Sequence, residues 1–208
     1  MSSLWTNGKN MIIQAQRFTP AEAAAFVDLS EKEVRKEIEY KVIDGGLSST
    51  HPGNGQTNAS QASPRLSFAA LVYLYLMRRS SLSLRSKERG IIYQRIAQSM
   101  SQDEVPEQIE VAPPFYLRLG DSVAFLGDKV NRFLTWKEDL TSDPEIMGGA
   151  ETFPNSRLTV QHVGRMLERG VDAQEILEDY PYLDRSDLEF ARLFVRAYPD
   201  INYASADT

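Results

Sequence analysis

Residues 143–199 constrain the fold most, because glycines and prolines divide this stretch into three short predicted helices. The first helix is predicted to end at Gly170, the second at Tyr180-Pro181, and the third to cover residues 186–198. Three short helices with tight turns are too small to enclose a catalytic cleft of their own. Their size suits a helix-turn-helix-like module that binds another molecule.

The apolar spacing of this stretch indicates one shared core. Two sets of residues follow the i, i+3, i+7 spacing of a helix face: Val160, Val163 and Leu167, then Leu188, Ala191 and Val195. Both faces are predicted to pack on Ile176, Leu177, Tyr180 and Leu183. The predicted turn residues are Gly148-Gly149 with positive φ, Gly170 as a helix end, and Asp172 and Ser186 as N-caps.

The segments DPEIMGG, RLTV and LERGVDAQEILEDYPYLDRSDLEFA, in that order, resemble the bacterial domain of unknown function numbered 433. The resemblance covers roughly 55 of the 208 residues. It departs at Asn155-Ser156-Arg157, where the family has Gly-Thr-Arg, so a different turn chemistry is predicted before Arg157. The resemblance implies the antitoxin half of a toxin–antitoxin pair, opposite a PIN-type ribonuclease.

Composition limits the class of protein. A chain of 208 residues can form one large or two small domains, and it has no cysteine for disulfides or thiolate metal sites. The first 20 residues lack the apolar centre of a signal peptide. The longest apolar run, residues 68–77, is too short to span a bilayer. A cytoplasmic protein without membrane contact is predicted.

Charge is distributed unevenly along the chain. The net charge of −6 argues against binding nucleic acid, but residues 1–104 hold 13 Lys and Arg against 10 Asp and Glu, a balance of +3. Residues 105–208 hold 10 against 19, a balance of −9. The two halves are therefore predicted to meet different partners, with the basic half facing phosphate.

A helix-turn-helix is predicted near the N-terminus. Thr19 and Pro20 mark one helix start, and Ser30 with Glu33 forms the capping box of a second helix. The stretch FTPAEAAAFVDLSEKEVRKEI resembles the MerR-like type, which implies that the second helix reads the major groove. The alternative is an ordinary helical hairpin, since four carboxylates dilute its cations: Glu31, Glu33, Glu37 and Glu39.

The polar stretch 44–64 is either the wing of a winged helix, with His51 and Arg65 reaching phosphate, or a disordered surface loop. After it, Ser67 is predicted to cap an apolar helix. Six cations then accompany Glu88 over 18 residues: Arg78, Arg79, Arg85, Lys87, Arg89 and Arg95. This region resembles the helical segment that follows the DNA-binding unit of larger VapB-type antitoxins. Phosphate contacts and a solvated basic face remain alternative interpretations.

Residues 104–114 contain three prolines and are predicted to separate the modules. Residues 115–119 and 123–127 are predicted to form two short strands, with a further strand within 128–140. The expected fold is mainly α with a small β component. It comprises a (winged) helix-turn-helix module at 1–104, a short-strand connection at 105–142, and a homeodomain-like three-helix module at 143–208.

Catalysis is not predicted. His51 and His162 lie far apart without metal-ligand spacing, and Gly53-Asn54-Gly55 lacks the Lys-Ser/Thr pair of a phosphate loop. The sequence contains no recognisable Ser-His-Asp triad, and its residues indicate no cofactor.

The sequence therefore favours an antitoxin that also represses its own promoter as a dimer. The candidate DNA-binding residues are Lys32, Arg35, Lys36, Arg65, Arg78, Arg79 and Arg85. The candidate residues for binding a PIN-type ribonuclease are Arg157, Arg192, Arg196 and Tyr203. The main alternative is a stand-alone DNA-binding regulator whose acidic module serves dimerisation or ligand binding. The third possibility is a purely structural interaction protein.

Overall fold

The structure, a computed structural model, describes residues 13–47, 64–80, 82–102 and 104–199. These residues are mainly helical and form two small antiparallel sheets, which confirms the predicted fold class. The chain divides into two compact units, Met1–Lys129 and Val130–Thr208. The division falls inside a helix, whereas the segments predicted from sequence end at 104 and 142. That segmentation stays a prediction.

The first unit begins with a helical hairpin beside a small sheet. Its elements are β1 (Arg17–Phe18), α1 (Pro20–Val27), α2 (Glu31–Glu39), β2 (Gly46–Leu47), β3 (Pro64–Ser67), α3 (Phe68–Arg79), α4 (Ser86–Met100), β4 (Gln108–Ala112), β5 (Phe115–Arg118) and the start of α5 (Gly120–Glu138). One sheet has the order β1-β3-β2, and β4 pairs with β5; both sheets are antiparallel.

Local side-chain caps begin the first helices, as predicted. Thr19 accepts a hydrogen bond from the Glu22 amide at 3.1 Å, and the Glu22 carboxylate accepts one from the Thr19 amide. Ser30 and Glu33 form the same reciprocal box at α2. Each box satisfies two amides that an isolated helix end would leave unpaired.

Asp28 lies between these two helices. It adopts the left-handed conformation with φ 58°, which short polar residues tolerate better than most. The two helices pack on each other, so the predicted tight turn between them is confirmed. The first unit therefore contains a compact hairpin of two short helices.

The prediction of strands at 123–127 and within 128–140 is wrong, because these residues belong to α5. Five buried residues recur at intervals of four, three, four and three: Leu119, Val123, Leu126, Val130 and Phe133. That spacing is the period of a helix face, not the alternation of a strand. The strand predicted at 115–119 is confirmed as β5.

The described part of the second unit comprises the end of α5, a short 3-10 helix at Met147–Gly149 and three further α-helices. These are α6 (Val160–Glu168), α7 (Ala173–Asp179) and α8 (Arg185–Ala197), which confirms the three predicted helices. Gly148 and Gly149 have positive φ, as predicted, and Gly170, predicted as a helix end, follows α6 and also has positive φ. Isolated β-bridges join Thr141 to Thr152 and Thr152 to Thr159.

The cap predicted at Ser186 is wrong. Asp184 is the N-cap of α8, and its carboxylate accepts a hydrogen bond from the Asp187 amide at 2.9 Å. That bond, together with the Ser186 hydroxyl, lowers the pKa of Asp184. Ser186 also has an acidic residue, Glu189, three positions after it, but its hydroxyl donates to Asp184 Oδ1 at 2.8 Å.

The core of the second unit brings α6 and α8 close together. Gly164 is buried in α6, and a Cβ built on it would lie 2.4 Å from the Ala191 backbone oxygen of α8. Val160, Val163, Ile176, Leu188 and Ala191 are buried as predicted, whereas Leu167 and Val195 are only half-buried. A glycine therefore sets the approach of the two helices.

Candidate nucleic-acid and partner-binding surfaces

Three predicted DNA-binding residues share the exposed side of α2. Lys32, Arg35 and Lys36 are exposed, and Val34 is buried on the opposite side. On a helix of about 3.6 residues per turn, Lys32 and Lys36 point roughly 160° away from Val34. We call Lys32, Arg35 and Lys36 the α2 cation face. It presents three cations on the exposed side of the second helix of the hairpin.

More of the α2 carboxylates form ion pairs or hydrogen bonds within the fold than the sequence indicated. Glu31 pairs with Arg35 at 2.6 Å across one helical turn. Glu33 accepts hydrogen bonds from the amide and hydroxyl of Ser30, which hold the pKa of its carboxyl below the usual value. Glu39 is exposed. The expected dilution of the cations is therefore smaller than four free carboxylates would produce.

Glu37, the remaining carboxylate of α2, turns inward. It accepts a hydrogen bond from the Tyr73 hydroxyl of α3 at 2.9 Å and forms an ion pair with Arg89 of α4. The Glu37 and Arg89 side chains are only 15% and 24% exposed. Burial, followed by the Glu37 charge, raises the pKa of Tyr73.

Two residues of the predicted basic run therefore serve the fold. The Arg89 guanidinium lies in this inward ion pair, and the Arg95 guanidinium donates to the Glu110 backbone carbonyl of β4. The interpretation of the whole run as one solvated or phosphate-binding face does not hold for Arg89, because its charge is matched by Glu37. The sequence did not indicate these partners of Glu37, since Tyr73 and Arg89 lie 36 and 52 residues away from it along the chain.

The other predicted DNA-binding residues are distributed over three elements. Arg65 on β3 lies 3.9 Å from the Glu22 carboxylate, and Arg85 is exposed at the N-cap of α4. Arg78 donates to the Asp28 backbone carbonyl at 3.0 Å, while Arg79 lies over the Tyr75 ring. The structure brings Arg78 and Arg79 together at the end of α3. His51 and most of the stretch 44–64 lie outside the described residues.

The second unit carries a cleft beside an aromatic cluster. We call this cleft of about 240 Å³ the Trp136 cleft; its lining is Trp136, Asp139, Leu140, Phe153, Pro154, Tyr182, Leu183 and Asp187. The Trp136 ring packs against Phe153, Phe190 and Phe194 at centroid distances of 5.6–6.5 Å. Such a cluster holds the floor of the cleft in one position.

Asp187 links this floor to the start of α8. The indole Nε1 of Trp136 donates to Asp187 Oδ1 at 2.8 Å, and the Asp184 amide donates to Asp187 Oδ2 at 3.0 Å. At the rim, Tyr182 is 56% exposed. The cleft therefore combines a fixed indole with an accessible tyrosine, neither of which was selected from sequence.

A tight loop at the same cleft presents Arg157. Asn155 occupies the left-handed region with φ 55°, where the resembled family has glycine. The Phe153 amide donates to the Leu158 carbonyl at 3.1 Å, and the Leu158 amide donates to the Ser156 hydroxyl at 3.0 Å. Asparagine is among the residues that best tolerate this conformation. Asn155 can therefore form the turn in place of the glycine of the resembled family.

The predicted partner-binding residues differ in availability. Arg157 is exposed and forms no ion pair within the part of the chain that the structure describes. Arg192 pairs with Glu168 at 2.8 Å, and Arg196 is half-buried. Tyr203 lies outside the described residues. Arg157 lies in the same short loop as Phe153 and Pro154, which line the Trp136 cleft.

Two other kinds of feature are absent from the described residues. No three His, Asp or Glu side chains there are grouped to hold a metal ion. No helix among them is long and apolar enough to cross a bilayer.

Comparison with known families identifies the helical second unit in part. Residues 140–195 match the family described as protein of unknown function (DUF433), which confirms the resemblance seen in the three C-terminal sequence segments. The matched residues include α6, α7, most of α8 and several residues that line the Trp136 cleft. No curated protein and no solved structure matched the chain.

Proposed function

We propose that this protein is a cytoplasmic antitoxin that binds its own promoter through the first unit and a PIN-type ribonuclease through the second. The observation that carries the proposal is the α2 cation face on a capped helix-turn-helix. Residues 140–195 match a family of unknown function, and the antitoxin role that this resemblance implies is the support for the second half. The proposal also includes a homodimer, since two copies would read two half-sites.

The DNA-binding half is supported by the arrangement of elements around α2. A helical hairpin is followed by the paired strands β2 and β3 and by two further helices, and these elements fit the winged helix-turn-helix that the sequence resembles. Glu31 and Glu33 are held by Arg35 and Ser30, so Lys32 and Lys36 can approach phosphate without an immediate carboxylate partner. Cations placed this way supply affinity that falls as salt rises.

Neutralising the α2 cation face is expected to weaken binding to promoter DNA. The triple change Lys32→Gln, Arg35→Gln and Lys36→Gln should lower affinity about tenfold at physiological salt, because lost phosphate contacts are not replaced. Fluorescence anisotropy with a labelled promoter fragment measures the change at several salt concentrations. The slope of log affinity against log salt should decrease by about 0.9 for each lost contact.

A control removes two cations from other elements of the first unit. Lys87→Gln and Arg118→Gln neutralise exposed cations on other elements of the first unit and should leave affinity nearly unchanged. Equal losses in control and triple variants, with equal salt slopes, would show that α2 is not the recognition helix. Circular dichroism checks that each variant retains its helices.

The partner-binding half is supported by the Trp136 cleft and its rim. The cleft has a fixed aromatic floor. Tyr182 is exposed at its rim, and Arg157 is exposed in the loop that contains Phe153 and Pro154. Tyrosine and arginine are enriched among residues that dominate protein interfaces. An arginine can also pair with the carboxylate cluster in which a PIN-type ribonuclease holds its metal. Arg157 fits this role better than Arg192, whose guanidinium is already paired with Glu168.

Replacing the exposed rim is expected to reduce neutralisation of the ribonuclease encoded by the neighbouring gene. Arg157→Ala with Tyr182→Ala should raise the concentration needed for half-inhibition of RNA cleavage about tenfold, because two anchors are removed. Arg169→Ala, which removes an exposed arginine after α6, is the control and should change it little.

Co-purification with that ribonuclease distinguishes the antitoxin from a stand-alone regulator. A stable complex with suppressed RNA cleavage supports the antitoxin. Promoter binding without any complex supports the stand-alone regulator, whose acidic second unit would then serve dimerisation or ligand binding.

A further inference from the structure

The first unit contains a cleft that the proposed function does not use. It measures about 370 Å³ and lies between the end of α1, the end of α3 and α5. We call it the Phe125 cleft; its lining is Phe26, Val27, Asp28, Tyr75, Arg78, Arg79, Phe125 and Lys129. Pockets for small molecules begin at roughly 300 Å³, so this cleft can hold one compact ligand.

Two stacked rings form the apolar part of the cleft. The Tyr75 and Phe125 ring centroids lie 5.5 Å apart, and the ring planes differ by 25°. Phe125 is 51% exposed, although it stands on a helix whose inner face is well buried. An aromatic ring that already stacks on one neighbour and remains accessible offers a platform for another planar ring.

The charges around this platform favour an anion. Arg78 is held at Asp28, donating to its backbone carbonyl at 3.0 Å and lying 3.8 Å from its carboxylate. Lys129 donates to the Phe26 carbonyl at 3.0 Å. Three cations therefore line the cleft against the one carboxylate of Asp28, and two of them also cover carbonyls at the end of α1.

Arg79 is the cation best placed to meet a ligand. Its guanidinium carbon lies 4.5 Å from the Tyr75 ring centroid, and it forms no ion pair with any residue in the described ranges. The stacked position leaves the planar edge of the guanidinium as the donor surface for a carboxylate.

We propose that the Phe125 cleft binds a small planar aromatic carboxylate. The ring of the ligand stacks on Phe125, and its carboxylate accepts hydrogen bonds from Arg79. This combination of a ring platform and an arginine fork distinguishes such a ligand from an inorganic anion, which gains nothing from Phe125, and from a neutral aromatic molecule, which gains nothing from Arg79.

Titration of the full chain with 2-naphthoate tests the site. We expect saturable binding by isothermal calorimetry, with naphthalene-2-carboxamide, a neutral molecule of the same shape, binding about tenfold more weakly. Arg79→Gln should weaken 2-naphthoate about tenfold and abolish its preference over the carboxamide. Phe125→Ala should weaken both molecules. Lys87→Gln, an exposed cation outside the cleft, should alter neither.

Three outcomes would overturn the proposal. One is no saturation by 2-naphthoate in the millimolar range, and another is equal binding by the wild-type chain and Arg79→Gln. The third is that a second copy of the chain occupies the cleft. Sedimentation would then show a dimer that Phe125→Ala dissociates and that 2-naphthoate does not affect. Inorganic phosphate, titrated alongside, should bind more weakly than 2-naphthoate; the reverse order also contradicts the assignment.

Discussion

Gly164→Ala is expected to lower the free energy of unfolding of the second unit by about 3 kcal/mol, within the range of overpacking in a closely packed interior. The added Cβ would lie 2.4 Å from the Ala191 backbone oxygen and 2.6 Å from Val195 Cγ1. The side chain of Val195 can rotate, but the backbone of α8 cannot move without disturbing the aromatic cluster around Trp136. Urea denaturation followed by Trp136 fluorescence in a Trp5→Phe background measures the change.

Gly90→Ala is the matched control for this substitution. Gly90 also lies inside a helix, α4, but a Cβ there would meet no atom within 4 Å. Alanine should therefore stabilise the chain by about 0.5–1 kcal/mol through helix propensity alone. If Gly164→Ala proves as neutral or as favourable as Gly90→Ala, the close approach of α6 and α8 is not what packs the second unit.

Glu37→Ala is expected to lower the free energy of unfolding of the first unit by about 3 kcal/mol. The change removes the partner of a largely buried arginine and the acceptor of a buried hydroxyl, and removing one member of a buried pair leaves the other charge uncompensated. Chemical denaturation followed by circular dichroism measures the loss. Glu39→Ala, an exposed carboxylate two residues away on the same helix, should change the free energy by less than about 0.5 kcal/mol.

A double-mutant cycle separates the ion pair from other effects at Glu37. Arg89→Ala alone should also destabilise the first unit, and adding it to Glu37→Ala should cost little more, because the second change removes the uncompensated charge. Additive losses from the two single changes would show that Glu37 and Arg89 contribute independently. In that case the pair does not connect α2 to α4 energetically.

This ion pair also changes how the α2 cation face is interpreted. From sequence, Glu37 competes with the lysines of its own helix, and Arg89 belongs to a basic run available to phosphate. Their pairing removes one carboxylate from the exposed side of α2 and one cation from the run. The exposed surface of α2 is therefore more positive, and that of α4 less positive, than the sequence indicates.

The helix starts could be predicted because they depend on neighbours within three or four residues. Thr19 with Glu22 and Ser30 with Glu33 satisfy one another inside a single turn. The same reasoning predicted positive φ at Gly148 and Gly149 and a helix end at Gly170. It placed the last cap at Ser186 instead of Asp184, since two residues with capping side chains stand close together and only the reciprocal bond with Asp187 decides between them.

Helix α5 shows where local patterns misled the interpretation. Short apolar groups at 115–119 and 123–127 around Gly120 have the look of a hairpin, and only the first is a strand. The heptad-like recurrence of Leu119, Val123, Leu126, Val130 and Phe133 was legible, but it crosses the predicted segment boundaries. A spacing test over the whole stretch would have favoured the helix.

The sequence by itself determined the helical class, the starts of the first two helices, the glycine turns and the family resemblance of the C-terminal stretch, because these depend on short-range chemistry and residue order. Only the tertiary structure decided which charges remain available. The partners Glu37 and Arg89 are separated by 52 residues, and Trp136 and Asp187 by 51. Contacts over such distances depend on how helices pack, and packing selects one pair among many that composition alone permits.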